Sequence, residues 1–156
     1  MDDIVKVAFF SEKNSDGTPI QDLKFATENS ACVDIRCKGD YFIYPETGEL
    51  ISTGLYVSIP NGYEMQIRPR SGISAKTSLI FKNTIGTIDS DYRGREIFVL
   101  WYNLGTVGYS FKHGERIAQA KIEKVLPVVY YEVDAVQTLK AMGNDRGGGF
   151  GHTGMR

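Results

Sequence analysis

Short β-rich runs, broken every few residues by Gly, Pro, Asn or Asp, dominate this sequence and leave no room for long helices. Ile4–Phe10 reads as a first strand. Ala31–Arg36 and Tyr41–Tyr44 follow, separated by Lys38-Gly39-Asp40. Leu50–Ile59 alternates apolar and polar residues up to the turn signal Pro60-Asn61-Gly62, and Tyr63–Arg68 returns from it. Ile85–Ile88 and Glu96–Asn103 flank the segment Asp89–Gly94, and Arg116–Glu123 and Pro127–Val133 are the last two expected strands. Only Ser74–Phe81 offers a short helix, and no long segment carries a 3.6-residue period. The expected class is all-β with at most one short helix, as a barrel, sandwich or jelly roll. No internal repeat is visible.

At 156 residues, 42% hydrophobic and 24% charged, the chain fits one ordinary folded domain. The 18 Lys and Arg nearly balance the 19 Asp and Glu, which disfavours a long polyanion such as nucleic acid as partner but allows a small anion held by a few placed arginines. No apolar run is long enough to span a bilayer, and the acidic start Met1-Asp2-Asp3 lacks a signal-peptide pattern. Cys32 and Cys37 are five apart, which on a strand points them to opposite faces. They read as two free thiols in a reducing, cytoplasmic setting (the host cytoplasm for a viral copy).

The last stretch changes character. Gly143–Gly154 contains six glycines around the single aromatic Phe150 and cannot bury enough apolar surface to order itself. It reads either as a floppy tail or as an arm that orders over a ligand, and Phe150 flanked by Arg146 and Thr153 favours the arm. The expected division is a barrel over residues 1–140 and a flexible arm over 141–156.

Five patches concentrate Arg, Asp, Ser and Gly: Ser30–Arg36, Arg68–Ser74, Asn83–Gly94, Gly114–Gln119 and Asp145–Gly154. In the second, Arg70, Ser71 and the backbone amides near Gly72 suit phosphate oxygens. In the third, Gly86 within a strand pattern suggests close approach by a ligand. Asp89 and Asp91, two apart, share a face on extended backbone. The same Asp-Ser-Asp is also good chemistry for a solvated turn, and the residues alone leave both readings open. Glu115 and Arg116 read as turn-surface charges, Trp101 as a core or interface residue, and His113 and His152 lack clustered partners.

Taken in order, the five patches resemble the five motifs of the trimeric dUTPase family. The most specific pieces are Pro69-Arg70-Ser71-Gly72, Gly86–Gly94, Gly114-Glu115-Arg116-Ile117-Ala118-Gln119 and Gly149–Gly154. The resemblance implies an antiparallel jelly-roll-like barrel, a homotrimer with sites shared between chains, and hydrolysis of dUTP to dUMP and pyrophosphate. That reaction keeps uracil out of DNA and supplies dUMP for dTMP synthesis. It further implies Asp89 as the general base for water attacking the α-phosphorus. Arg70, Ser71, Gly72, Gln119, Arg146, Gly151 and Thr153 would serve the phosphates. Asp34 and Gln119 would hold the cofactor Mg2+ through its waters. Asn83 and the strand backbone at Gly86, Thr87 and Ile88 would read the uracil, Tyr92 would pack on the deoxyribose, and Phe150 would stack on the base.

Two departures stand out: Cys32 replaces the glycine usual after Ser30-Ala31, and the Arg146–Phe150 spacing is one residue short. Two other functions fit the same scaffold. A dCTP deaminase needs a glutamate where Leu100 stands, before Trp101-Tyr102-Asn103. A nucleotide-gated regulatory protein would keep the fold and lose turnover, with the hydrophilic segment Asn14–Thr27 as one candidate partner surface.

Overall fold

The computed structural model describes residues 4–144. Among these, ten strands form: β1 (Ala8–Ser11), β2 (Val33–Arg36), β3 (Tyr41–Ile43), β4 (Gly48–Ser58), β5 (Tyr63–Arg68), β6 (Leu79–Phe81), β7 (Gly86–Ile88), β8 (Glu96–Asn103), β9 (Tyr109–Phe111) and β10 (Arg116–Lys124). Helix α1 (Ser71–Lys76) lies between β5 and β6. Packing divides the chain into two units, Met1–Leu126 with all ten strands and Pro127–Arg156 with helix α2 (Val136–Ala141).

Every pairing is antiparallel. One sheet runs β1-β4-β8-β6, a second runs β2-β10-β5-β7, and β3 pairs with β9 in a two-stranded ribbon. The alternation along β8 shows why. Ile97, Val99, Trp101 and Asn103 are buried while Glu96, Phe98, Leu100 and Tyr102 face outward. Ile35 of β2, Ile51 of β4, Ile67 of β5, Trp101 of β8 and Ile117 of β10 belong to one apolar cluster, so both sheets supply the same core. Trp101 is fully buried, edge-on to Phe81 with ring centroids 4.4 Å apart. Both cysteines are free thiols, Cys37 buried and Cys32 partly so.

The all-β expectation holds, with local corrections. The helix expected at Ser74–Phe81 starts three residues earlier and ends at Lys76. Thr77 stops it: its backbone is extended, its hydroxyl donates to Ile73 O at 2.8 Å, and Leu79 N donates to that hydroxyl at 3.1 Å. Leu79–Phe81 then alternates buried, exposed, buried and pairs with β8. A second helix, α2, exceeds the expected one, and β9 was hidden in a segment of weak alternation. Pro127–Val133, expected as a strand, pairs with no strand among the described residues.

Two bulges interrupt the alternation. In β4 the register with β8 shifts between Ser52 and Leu55, so Thr53, Gly54 and Leu55 are buried in succession. Gly54 takes φ +64°, and a Cβ there would lie 3.1 Å from Glu12 Cβ. Glu96 anchors the bulge by accepting from Gly54 N at 2.8 Å and from the Ser52 hydroxyl. Thr53 donates to Ile97 O at 2.5 Å. In β10 the register with β2 shifts between Arg116 and Ala118, leaving Ile117 and Ala118 both buried.

Replacing Gly54 with Ala imposes a left-handed backbone and a close contact together, and is expected to cost about 1–3 kcal/mol in urea unfolding at unchanged m-value. Beside it, the Lys38 ammonium, 2.5 Å from Glu12, holds the Glu12 carboxyl below its ordinary 4.5, with the Tyr56 hydroxyl assisting. A depressed carboxyl stabilises the fold above its unfolded pKa, and that contribution disappears as pH falls through the folded value. Glu12→Gln is therefore expected to flatten the fall in urea midpoint between about pH 5 and about pH 3.

Candidate functional site

One end of the second sheet gathers three of the polar residues singled out from the motifs, Asp34, Arg70 and Gln119. Asp34 on β2 lies across from Gln119 on β10, and Gln119 lies across from Arg68 on β5. Arg70 follows β5 and precedes α1. Its Nε lies 2.9 Å from Asp34 Oδ1 in an ion pair, and its Nη1 donates to Arg116 O at 3.2 Å. Arg116 Nη1 lies 3.3 Å from Asp34 Oδ2. Gln119 Nε2 donates to Pro69 O at 2.9 Å, fixing the chain just before Arg70. Ser71 and Gly72 are exposed in the first turn of α1, which no side chain caps. Arg116, read from sequence as a surface charge, is thus joined to both Asp34 and Arg70. The signal was present: Ile117-Ala118, two apolar residues between Arg116 and Gln119, break alternation and place both polar side chains on the outer face.

The third motif forms a separate constellation. Asn83 and Thr84 lie in the turn between β6 and β7. Thr84 takes φ +60°, a rare conformation for a β-branched residue, held by its N–H donating to Phe81 O at 3.1 Å and its hydroxyl to Asn83 O at 2.7 Å. Gly86 packs on β5, where a Cβ would lie 3.2 Å from Ile67 Cβ and 3.5 Å from Asn83 Nδ2. Thr87 and Ile88 pair with Gln66 and Met65. Asp89 leaves the strand exposed, and its carbonyl accepts from Tyr92 N at 3.1 Å. The loop beyond it is braced: Arg93 donates to Ser90 O at 2.7 Å and to Asn61 Oδ1 at 3.0 Å, and the Tyr92 hydroxyl donates to Glu96 O at 3.0 Å.

The structure joins Asp34, Arg70 and Gln119 but does not bring Asp89 to them. The ladders place Asp89 one residue past the Ile88–Met65 pair, and Gln119 opposite Arg68. At about 3.3 Å per residue and 4.8 Å per strand, the two lie roughly 15 Å apart. Arg146, Phe150, Gly151 and Thr153 lie outside the described residues. Among the described residues no group of three His, Cys, Asp or Glu could hold a metal ion alone. One carboxylate facing one amide still fits Mg2+, which keeps several waters and takes oxygen ligands from substrate phosphates. His113 is committed to its turn, accepting from Gly39 N at 2.8 Å through Nδ1 and lying 2.7 Å from Asn14 Oδ1 through Nε2.

Residues 18–154 match the family model for dUTPase. The chain belongs to the dUTPase family. It is 44% identical over 133 residues to the deoxyuridine 5'-triphosphate nucleotidohydrolase of Finegoldia magna, covering 84% of this chain and 90% of that one. The enzyme of the same name from Ehrlichia canis is 42% identical over 145 residues, covering 91% of each. Among solved structures, a Staphylococcus bacteriophage 80alpha dUTPase variant with dUpNHpp superposes with TM-score 0.78 at 22% identity, covering 96% of this chain and 98% of that one. The Streptococcus mutans dUTPase gives TM-score 0.70 at 23% identity, covering 78% and 98%. These likenesses bear out the antiparallel fold expected of the dUTPase family.

The strained turn at Thr84 costs on the order of 1–2 kcal/mol. Thr84→Asn, which tolerates positive φ, is expected to raise the urea midpoint, and an unchanged or lower midpoint would show that the threonine contacts outweigh the strain.

Proposed function

We propose that the chain is a dUTP diphosphatase, hydrolysing dUTP to dUMP and pyrophosphate by water attack on the α-phosphorus. The observation that carries this reading is that the family match, spanning residues 18–154, encloses both an exposed carboxylate, Asp89, at the end of β7 and a half-buried Asp34–Arg70–Gln119 cluster. Asp89 accepts the proton of the attacking water as a carboxylate general base. Arg70, Ser71 and Gly72 bind phosphate oxygens, joined by Arg146, Gly151 and Thr153. Neutralisation is a large lever because a unit-charge pair about 4 Å apart is worth roughly 4 kcal/mol at a protein-surface dielectric. Bound Mg2+, held through water by Asp34 and Gln119, would add charge neutralisation at those same oxygens.

Asn83 reads the uracil together with the backbone of Gly86, Thr87 and Ile88. A cytosine would leave buried groups unpaired, a mismatch able to reject an analogue by about 10⁴. Tyr92 bounds the sugar and Phe150 closes on the base. The roughly 15 Å between Asp89 and Gln119 supports a site completed by neighbouring copies, in a homotrimer. An α-phosphorus one water away from Asp89 lies only about 6 Å from it, at ordinary hydrogen-bond lengths. Deamination of dCTP is disfavoured because Leu100, paired with Leu50, offers no acid. No helix among the described residues is long and apolar enough to cross a membrane, and a cytoplasmic site of action is proposed.

Incubating the protein and Mg2+ with dUTP, dCTP, dTTP or UTP, while following pyrophosphate and ammonia, tests this. Pyrophosphate from dUTP alone is expected. Asp89→Asn should lower kcat by about 10²–10⁴ while affinity for a non-hydrolysable dUTP analogue stays within about threefold. Ammonia from dCTP, or no turnover of any nucleotide, would sink the proposal.

A further inference from the structure

We propose that Arg116 is a positioning residue that sets Asp34 and Arg70 in register with one another, resting on the dUTP reading of their site. Arg70 meets Asp34 at Nε and Oδ1, 2.9 Å apart. One such contact leaves the carboxylate free to turn about it and the guanidinium free to tilt. Arg116 removes both freedoms. Its Nη1 takes the other carboxylate oxygen at 3.3 Å, and its carbonyl accepts from Arg70 Nη1 at 3.2 Å. The three residues form a closed ring of contacts drawn from β2, the β5–α1 junction and β10.

The β10 bulge makes this ring reachable. With unbroken alternation Arg116 and Gln119, three apart, would point to opposite faces. Burying Ile117 and Ala118 in succession returns both to the outer face, where Gln119 lies opposite Asp34 and holds Pro69, while Arg116 reaches Asp34 and Arg70. The Arg116 side chain is 51% exposed, so its ion pair contributes little to the stability of the fold. The contact therefore acts on the orientation of Arg70, assigned to the phosphates, and of Asp34, assigned to the metal's waters. Arg116 itself is not placed against substrate.

The test uses the full-length protein with Mg2+. Calorimetry gives the affinity for dUMP and for a non-hydrolysable dUTP analogue, kinetics gives kcat/KM for dUTP, and thermal unfolding serves as the folding control. Arg116→Met should lower kcat/KM by about 10–100-fold, the size expected when a charged group shifts by about 1 Å. It should weaken the triphosphate analogue while leaving dUMP affinity within about twofold, and Tm should move by no more than about 3 °C. Arg116→Lys, which can still reach one Asp34 oxygen, should recover part of the loss. In an Asp34→Asn background, Arg116→Met should have little further effect, because the two residues act as one unit. The idea is overturned if Arg116→Met leaves both readouts within about twofold, if its loss adds fully to that of Asp34→Asn, or if dUMP and analogue weaken together as Tm falls. A wild-type protein that binds the analogue without turning over dUTP would defeat the catalytic reading alone, and the analogue affinities would still decide the role of Arg116.

Discussion

Two four-stranded sheets close on one apolar core, so each strand must send alternate side chains inward. This constraint organises the molecule more than any single hydrogen bond. It explains the spacing of Ile97, Val99 and Trp101 on β8 and of Met65 and Ile67 on β5. It also leaves outward positions free of packing duty, and Asp34 and Gln119 occupy two of them across one ladder. Where the alternation is broken, a specific polar device compensates. Glu96 and Thr53 satisfy the β4 bulge, and Arg116 and Gln119 use the one in β10.

The two halves of the site differ in how they are held. The Asp34–Arg70 cluster rests on side-chain contacts between three elements distant in sequence. The Asn83–Tyr92 half rests on backbone, with β7 laddered to β5, one close-packed glycine against that strand and one strained threonine in the turn before it. A backbone ladder inside the sheet holds its shape through the chain's own hydrogen bonds. A cluster of charges depends more on its surroundings, and partial exposure leaves it open to solvent, ions or a phosphate chain.

Much of this was legible in the chain. Tyr63–Arg68 and Glu96–Asn103 came out with their observed boundaries because each has one clean buried face and clear turn residues beside it. The convergence of Asp34, Arg70 and Gln119 followed from the motif resemblance, not from periodicity. The sequence misled where local propensity and tertiary pairing disagree. Leu79–Phe81 resembles a helix end until β8 offers it a ladder, and Pro127–Val133 has the composition of a strand without a partner among the described residues. Arg116 was missed because it reads as a charge on a turn, and only the bulge brings it to the face of Gln119, beside Asp34 and Arg70.

The side chain of Gln21 illustrates a different kind of economy. It is 1% exposed, donates through Nε2 to Arg36 O and Thr53 O, both at 2.7 Å, and accepts from Arg36 N at 2.9 Å. The long excursion from β1 to β2 is therefore riveted at its midpoint, and loop closure is shared between two short spans instead of one long one. The outer span ends in an exposed turn at Asp16–Gly17, where a Cβ on Gly17 would meet open space. A peptide graft there would swing from the rivet and load neither sheet, making this turn a natural mounting point for labels or tethers.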